Sequence, residues 1–457
     1  MQGKKSYQKL AGFRDFSSKG AYLKLELIKR LRGVFESYGF LPIETPHLEY
    51  AKVLISQVDE KADGAEGADG TEADKQIYRF FDHGKRDVAL RFDHTLPLAR
   101  YVAQYFYDIP IPFKRYVVGN VFRGESPQAG RYREFTQCDF DFVGINKPEV
   151  DAEVLQVIYH SLMALGIKDF VIKINHRYLL DCLIKKLGII EKKSKLLQIT
   201  DKLDKIGHEK VLEQLISLEV LKIAEAKRWL SFIEQKIDNP ASLKSLVKDS
   251  FGDVEGLDEV YNDIERVYSI LDAVGIDDSK YIIDLKVVRG LDYYTGMVYE
   301  TFLGGDKKLG AICSGGRYDN LIGKFSGQEL SGAGASIGLD RLLSFVEHDV
   351  LAHKIKAPCQ LLIAILDDES LLFAYKWADD IRKKGINVEV YPKRAKLAKQ
   401  FKYAQKKKFL YLLACGENER EGGEPVLADL NTGEKIKFSD IKALVDGLQG
   451  RLDELER

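Results

Sequence analysis

The run Val287-Val288-Arg289-Gly290-Leu291-Asp292-Tyr293-Tyr294 takes an apolar segment straight into an arginine, a carboxylate and two phenols. Such groups cost several kcal/mol when buried without partners, so a polar ligand is expected to meet them. A second stretch, FRGESPQAGRYREFTQCDFDFVG at 122–144, reads as two strands joined by a loop whose Pro127 and Gly130 suit a hairpin. Period-two alternation puts Arg133, Phe135, Gln137, Asp139 and Asp141 on one face of its second strand, with Cys138, Phe140 and Phe142 on the other. An aromatic, an amide and carboxylates on one face suit a ligand floor; the alternative is a solvated face of an antiparallel sheet. Arg123, Arg131 and Arg133 cluster about the hairpin, and clustered guanidiniums suit phosphate. In LRFDHTLPLARY, parity puts Arg91, Asp93 and Thr95 together if the segment is extended. CSGGRYDNLIG at 313–323 offers glycines for close backbone approach beside Arg317 and Tyr318, or simply a tight turn. GASIGLDRLLS at 334–344 is a glycine-rich strand feeding a helix, with Arg341 near its start.

Other phosphate and hydrolase signatures fail. No G-x-x-x-x-G-K-[ST] is present, GAGASIG misplaces the third glycine of a dinucleotide fingerprint, and neither H-E-x-x-H nor G-x-S-x-G occurs. The eight histidines are dispersed, and no spacing suits a protein-bound metal.

These stretches need a scaffold. AYLKLELIKRLRGVFESY at 21–38 places Leu23, Leu27, Leu31, Val34, Phe35 and Tyr38 on one helical stripe, and Gly39 follows where a helix ends. FLPIETPHLE has two prolines and suits an edge or interface strand. Residues 59–75 are acidic, Gly/Ala-rich and free of aromatics, which fits a linker or a substrate-covering flap. Residues 180–265 read as a charged helical insertion, and strands return at IIDLKVV, GMVYETF and LGAICSGG. After Lys354 to Pro358 the pattern becomes alternating β and α units, which implies a small, mostly parallel sheet with helices. The reading is an α+β domain at 1–355 built on an antiparallel sheet with the helical insertion, followed by an α/β domain at 356–457.

With 457 residues, 45% apolar and 30% charged, the chain is a globular protein of two or three domains. A net charge of −1 is silent about nucleic acid, so charge distribution must decide. Five cysteines without a C-x-x-C pair fit a reduced compartment, and the lack of a leader-like or membrane-spanning run makes the cytoplasm the expected location. The stretch 392–408, PKRAKLAKQFKYAQKKK, contains no acid. Leu397, Phe401 and Ala404 form its apolar stripe, which leaves the lysines on an outer face.

Together the motifs resemble histidyl-tRNA synthetase, a class II aminoacyl-tRNA synthetase. FLPIETP is similar to the first class II motif, FRGE through FDFVG to the second and GASIGLDRLLS to the third. RGLDYYTGMVYE and SGGRYDNLIG resemble the two stretches peculiar to the histidine enzymes. The resemblance spans essentially the whole chain. It implies a homodimer that joins L-histidine to ATP, with Mg²⁺ accompanying the nucleotide, and then passes histidine to its tRNA through an anticodon-binding C-terminal domain. The implied catalytic set is Arg289, Arg123 and Gln137, with the two arginines on either side of the reacting α-phosphate. Phe135 is expected to stack on adenine with Arg341 on the opposite face, while Glu125 and Arg131 hold the adenine edge and the terminal phosphate. For histidine, the resemblance implies Asp93, Thr95 and Gln137 at the α-amino group, Arg289 at the carboxylate, and Asp141 with Tyr293 and Tyr294 around the imidazole. Two departures stand out: Phe92-Asp93-His94-Thr95 replaces the P-E-G-T of many bacterial members, and Asp141 replaces a glutamate. Both carboxylates survive one methylene shorter. The rival readings are a noncatalytic paralogue that regulates histidine biosynthesis and an RNA-sensing module. The former lacks the C-terminal domain and erodes the RGLDYY stretch; the latter should lose Arg123 or Arg289.

Overall fold

The computed structural model describes residues 7–55, 76–127, 130–288, 294–304, 310–319, 321–346 and 359–456. Arg289 and Tyr293, the acidic 59–75 stretch and the expected boundary at 355/356 lie outside them. The chain divides into two compact units, Met1–Asp349 and Val350–Arg457.

The first unit is organised by an eight-stranded sheet. Its strands are β1 (Leu41–Pro42), β5 (Phe113–Phe122), β6 (Glu134–Val143), β7 (Phe170–His176), β8 (Tyr281–Ile283), β9 (Met297–Leu303), β10 (Cys313–Arg317) and β11 (Gly332–Gly338). Their spatial order is β1-β5-β6-β11-β10-β9-β7-β8. All the inner pairings are antiparallel, and only the edge pairs β1–β5 and β7–β8 are parallel. A small antiparallel sheet joins β2 (Leu48–Tyr50), β3 (Arg79–Phe81) and β4 (Asp87–Leu90) in the order β2-β4-β3.

The first helix, Ser18–Ser37, buries Leu23, Leu27, Leu31 and Phe35, as its spacing predicts, while Val34 and Tyr38 are only half-buried. Ser17 caps its start and Gly39 leaves its end at φ +79°. Phe35 packs on Phe140, so the apolar face of β6 is covered by this helix. The polar face of β6 is buried too. Residues 136–143 are all buried, which rules out the solvated-face alternative.

Two local expectations change. The segment 91–95 is not a strand: β4 stops at Leu90, and a helix runs Thr95–Gln104, so the parity grouping of Arg91, Asp93 and Thr95 does not hold. Pro97 is tolerated in its first turn, and Asp93 Oδ1 accepts the amides of Thr95 and Leu96, both at 3.1 Å. Likewise, the extended run before Arg289 ends at Ile283, and Leu285–Val288 turns away with its carbonyls held by Asn175 and Arg177.

Between Arg177 and Ala273 the chain is helical, and these helices share a core around Trp229, Leu230, Val260 and Ile264. The second unit has a five-stranded sheet of β12 (Leu361–Ile365), β13 (Val388–Val390), β14 (Tyr411–Cys415), β15 (Val426–Asp429) and β16 (Lys435–Lys437), ordered β13-β12-β14-β15-β16. β12 pairs in parallel with both neighbours, and β15–β16 is the hairpin turning at Asn431–Glu434. The basic helix Leu397–Lys407 sits differently from its expected stripe. Gln400 and Ala404 face inward, while Leu397 and Phe401 are 44% and 37% exposed beside the lysines. Gln400 decides this orientation, because its amide bonds both backbone groups of Ile365 and the carbonyl of Ala395. Satisfying buried backbone groups outweighs burying one more phenyl ring.

Candidate active site

The β5–β6 register sets Arg115 opposite Asp141, Gly119 opposite Gln137 and Val121 opposite Phe135. Across β6, β11 presents Gly334, Ser336 and Gly338 to Asp141, Asp139 and Gln137. Small residues flank tall polar ones, and this spacing makes a floor. A Cβ at Gly334 would lie 2.4 Å from Asp141 Oδ1, and one at Gly316 would lie 2.8 Å from the Tyr294 ring. Neither position has room for a side chain.

At one end of this floor opens a cleft. Arg123, Glu125, Arg131, Phe135, Gln137 and Arg341 all line it, with Ser314 and Ser336 between them. Five of these are the residues assigned to the nucleotide by resemblance, and they come from the end of β5, the hairpin loop, β6 and the helix Leu339–Val346 after β11. Asp340 locks that helix to β6: one carboxylate oxygen accepts the Thr136 amide at 2.6 Å, and the other accepts Arg14 at 2.6 Å. Arg341 is thereby held against the cleft and donates to the Ala311 carbonyl.

The electrostatics favour a polyanion. Burial, with Arg131 and Arg123 beside it, draws the Arg341 guanidinium down to about 10. Like charges gathered in a partly desolvated cleft are stabilised when anionic groups arrive. Arg123 lies over Phe92, 4.3 Å from the ring centroid, and 5.2 Å from the centroid of Phe135. Arg131 is paired with Glu125 at 3.2 Å, both partly exposed. Arg133, grouped with them by sequence, turns away: it donates to the Glu125 and Ala11 carbonyls. Arg317 is likewise structural, tied to Asp151 beneath the sheet.

Farther along the floor lies a buried polar group. Asp141 is held by Arg115 at 2.7 Å and by the Tyr318 hydroxyl at 2.5 Å, with Arg115 only 1% exposed. Burial raises the Asp141 carboxyl and Arg115 opposes that rise. Arg115 also donates to the His94 carbonyl, linking the floor to the loop that carries Asp93. His94 itself is kept far below the ordinary histidine range by burial, with Arg91 and Arg115 nearby, so it is a neutral imidazole against the Gly119 carbonyl. Gln137 donates to Ser336 at 2.7 Å and keeps its buried Oε1 without a donor among the described residues. Arg115, Tyr318 and Asp340 were not assigned roles by sequence. Arg115 is a charge inside an apolar strand, but its partner is visible only in the cross-strand register.

A mainly antiparallel sheet whose polar face gathers arginines, an aromatic ring and buried carboxylates has the architecture of a class II aminoacyl-tRNA synthetase. The histidyl-tRNA synthetase family profile matches residues 12–342, and an anticodon-binding domain profile matches 360–451. The histidine–tRNA ligase of Wolinella succinogenes is 43% identical over 442 residues, covering 96% of this chain and 98% of its own. That of Helicobacter hepaticus is 44% identical over 442 residues, covering 95% and 97%. A crystal structure of histidyl-tRNA synthetase from a Nostoc species superposes with a TM-score of 0.82 at 32% identity, covering 98% of this chain and all of that one. The chain belongs to the histidyl-tRNA synthetase family. Its activity is that of a histidine–tRNA ligase, with ATP, histidine and tRNA as substrates, and the noncatalytic alternative is not favoured.

Proposed function

We propose that the cleft and the buried floor divide the two small substrates between them. The convergence of Arg123, Arg131 and Arg341 with Phe135 on one cleft carries this reading. Adenine stacks between Phe135 and Arg341, with Glu125 at its edge and Arg131 at the terminal phosphate. ATP enters as its Mg²⁺ complex, with the ion on phosphate oxygens. Among the described residues no cluster of three His, Cys, Asp or Glu side chains suits a metal. Histidine lies along β6, its α-amino group at Asp93, Thr95 and Gln137 and its imidazole between Asp141 and Tyr294, with Tyr293 nearby. A site that bonds both ring nitrogens rejects non-bonding analogues by roughly 10⁴-fold or more.

The carboxylate oxygen of histidine forms a bond to the α-phosphorus, and the bond to the β-phosphate oxygen breaks, releasing pyrophosphate. Negative charge grows on the α-phosphate, where Arg123 on one side and Arg289 on the other stabilise it. A hydroxyl at the tRNA 3′ end then attacks the carbonyl of the adenylate and AMP leaves, with a phosphate oxygen taking the proton. The 1–355 unit, including the 180–265 helices, carries this chemistry, and 356–457 grips the anticodon end. The enzyme works as a cytoplasmic homodimer. Support for the dimer comes from β1 at the sheet edge, where Leu41 is 63% exposed on a strand similar to the dimer-forming motif. Pyrophosphate exchange tests the reading: exchange stimulated by histidine and by no other amino acid is expected, and silence would favour a binding protein.

A further inference from the structure

Asp139 has no assigned role, yet it stands on the floor between Gln137 and Asp141, on the same face of β6. It is 3% exposed, and its Oδ1 has no hydrogen-bond partner among the described residues. Its other contact is Ser336, which faces it across the β6–β11 pairing. The Ser336 oxygen already accepts the Gln137 amide N–H at 2.7 Å, so its own proton is free for Asp139. The chain Gln137–Ser336–Asp139 therefore fixes the amide so that Gln137 Oε1 is a bare acceptor, and Asp139 Oδ1 is another. Buried acceptors without donors are costly, and two side by side on this floor call for a ligand rich in N–H donors.

We propose that Asp139 is a specificity-determining residue that accepts a hydrogen bond from the α-ammonium of histidine, together with Gln137 Oε1 and Asp93. The proposal rests on the assignment of Asp93, Thr95 and Gln137 to the α-amino group. A primary ammonium carries three N–H donors and no acceptor, which suits a subsite built of acceptors with a surplus of carboxylate. The groups facing Asp139 are Arg115 on β5, Asp141 on its own strand, Ser336 on β11, and Asp93 and Arg91 on the loop before the helix Thr95–Gln104. Cys138 and Cys313 lie close as well, but burial keeps both as neutral thiols. Arg115 is committed to Asp141, and Arg91 spends its guanidinium on the carbonyls of Asn120 and Thr45. Asp139 thus shares its cationic neighbours with other groups. Burial, opposed by Arg115 and aided by Asp141, lifts its carboxyl to about 7. An arriving ammonium supplies the missing cation.

The test compares two ligands that differ only in the ammonium, L-histidine and 3-(imidazol-4-yl)propanoate. Dissociation constants are measured by calorimetry for the full chain and for Asp139→Asn. The expected result is that the variant loses about ten-fold or more of the preference for histidine, while the des-amino ligand binds as before. An equal loss for both ligands, or none for either, overturns the proposal. In the wild type the same preference should rise as pH goes from 6 to 8, and a flat ratio overturns it even if the variant fails to fold. Asp93→Asn and Gln137→Ala separate the two layers. If they lower the preference and Asp139→Asn does not, only Asp139 is misassigned. If none of the three lowers it, the α-amino subsite itself is misplaced and the proposal fails with it.

Discussion

At the scale of residues, the floor depends on a small set of buried charges whose partners are fixed. Arg115 and Asp141 form an ion pair almost wholly out of water, and removing one member of such a pair strands the other. Arg115→Met is expected to lower stability by about 3–5 kcal/mol, read by denaturant unfolding, and to raise the KM for histidine more than that for ATP. Asp139 gives a pH signature of opposite sense to most carboxylates. Its folded value of about 7 lies above the ordinary carboxylate range, so between roughly pH 4 and 7 the folded state binds the extra proton. Its contribution is present below the unfolded value and is lost as pH rises through the folded one. Unfolding of the ligand-free wild type, followed from pH 4 to 8, should show a decline that Asp139→Asn reduces.

At the scale of elements, glycine placement and one helix start decide whether these side chains meet. Gly334→Ala puts a Cβ 2.4 Å from Asp141 Oδ1 and 2.5 Å from the Phe140 carbonyl, neither of which can retreat. Histidine-dependent exchange should fall by about 10²-fold or more, with ATP binding less affected. Asp340→Ala frees the helix Leu339–Val346 from Thr136 and Arg14, so adenine stacking on Arg341 should weaken and the KM for ATP rise. The strands β5, β6, β9 and β11, the first helix and the alternating C-terminal units were legible in sequence, because period-two or helical spacing and flanking glycines survive without tertiary context. Thr95–Gln104 was not, because Asp93 caps that helix from outside it and a proline stands in its first turn. The inward face of Leu397–Lys407 was missed for a similar reason: a glutamine bonded to backbone looks, in sequence, like a surface residue. The arginines of the cleft were readable by type and spacing, whereas Arg115 needed the register that sets it against Asp141.

At the scale of the whole molecule, the first unit carries the cleft, and an anticodon-binding profile matches residues 360–451 of the second. The exposed lysines of Leu397–Lys407 should neutralise phosphates. Replacing Lys399, Lys402 and Lys406 with glutamine is expected to flatten the salt dependence of tRNA binding without changing histidine-dependent exchange. No helix among the described residues is long and apolar enough to cross a membrane. The account turns on guanidiniums from separate elements acting together on one nucleotide. Single-turnover formation of histidyl-adenylate by Arg123→Ala tests this most directly, with circular dichroism as a check on folding. The predicted result is a rate about 10²-fold or more below wild type in a folded protein; a rate near wild type would contradict the account.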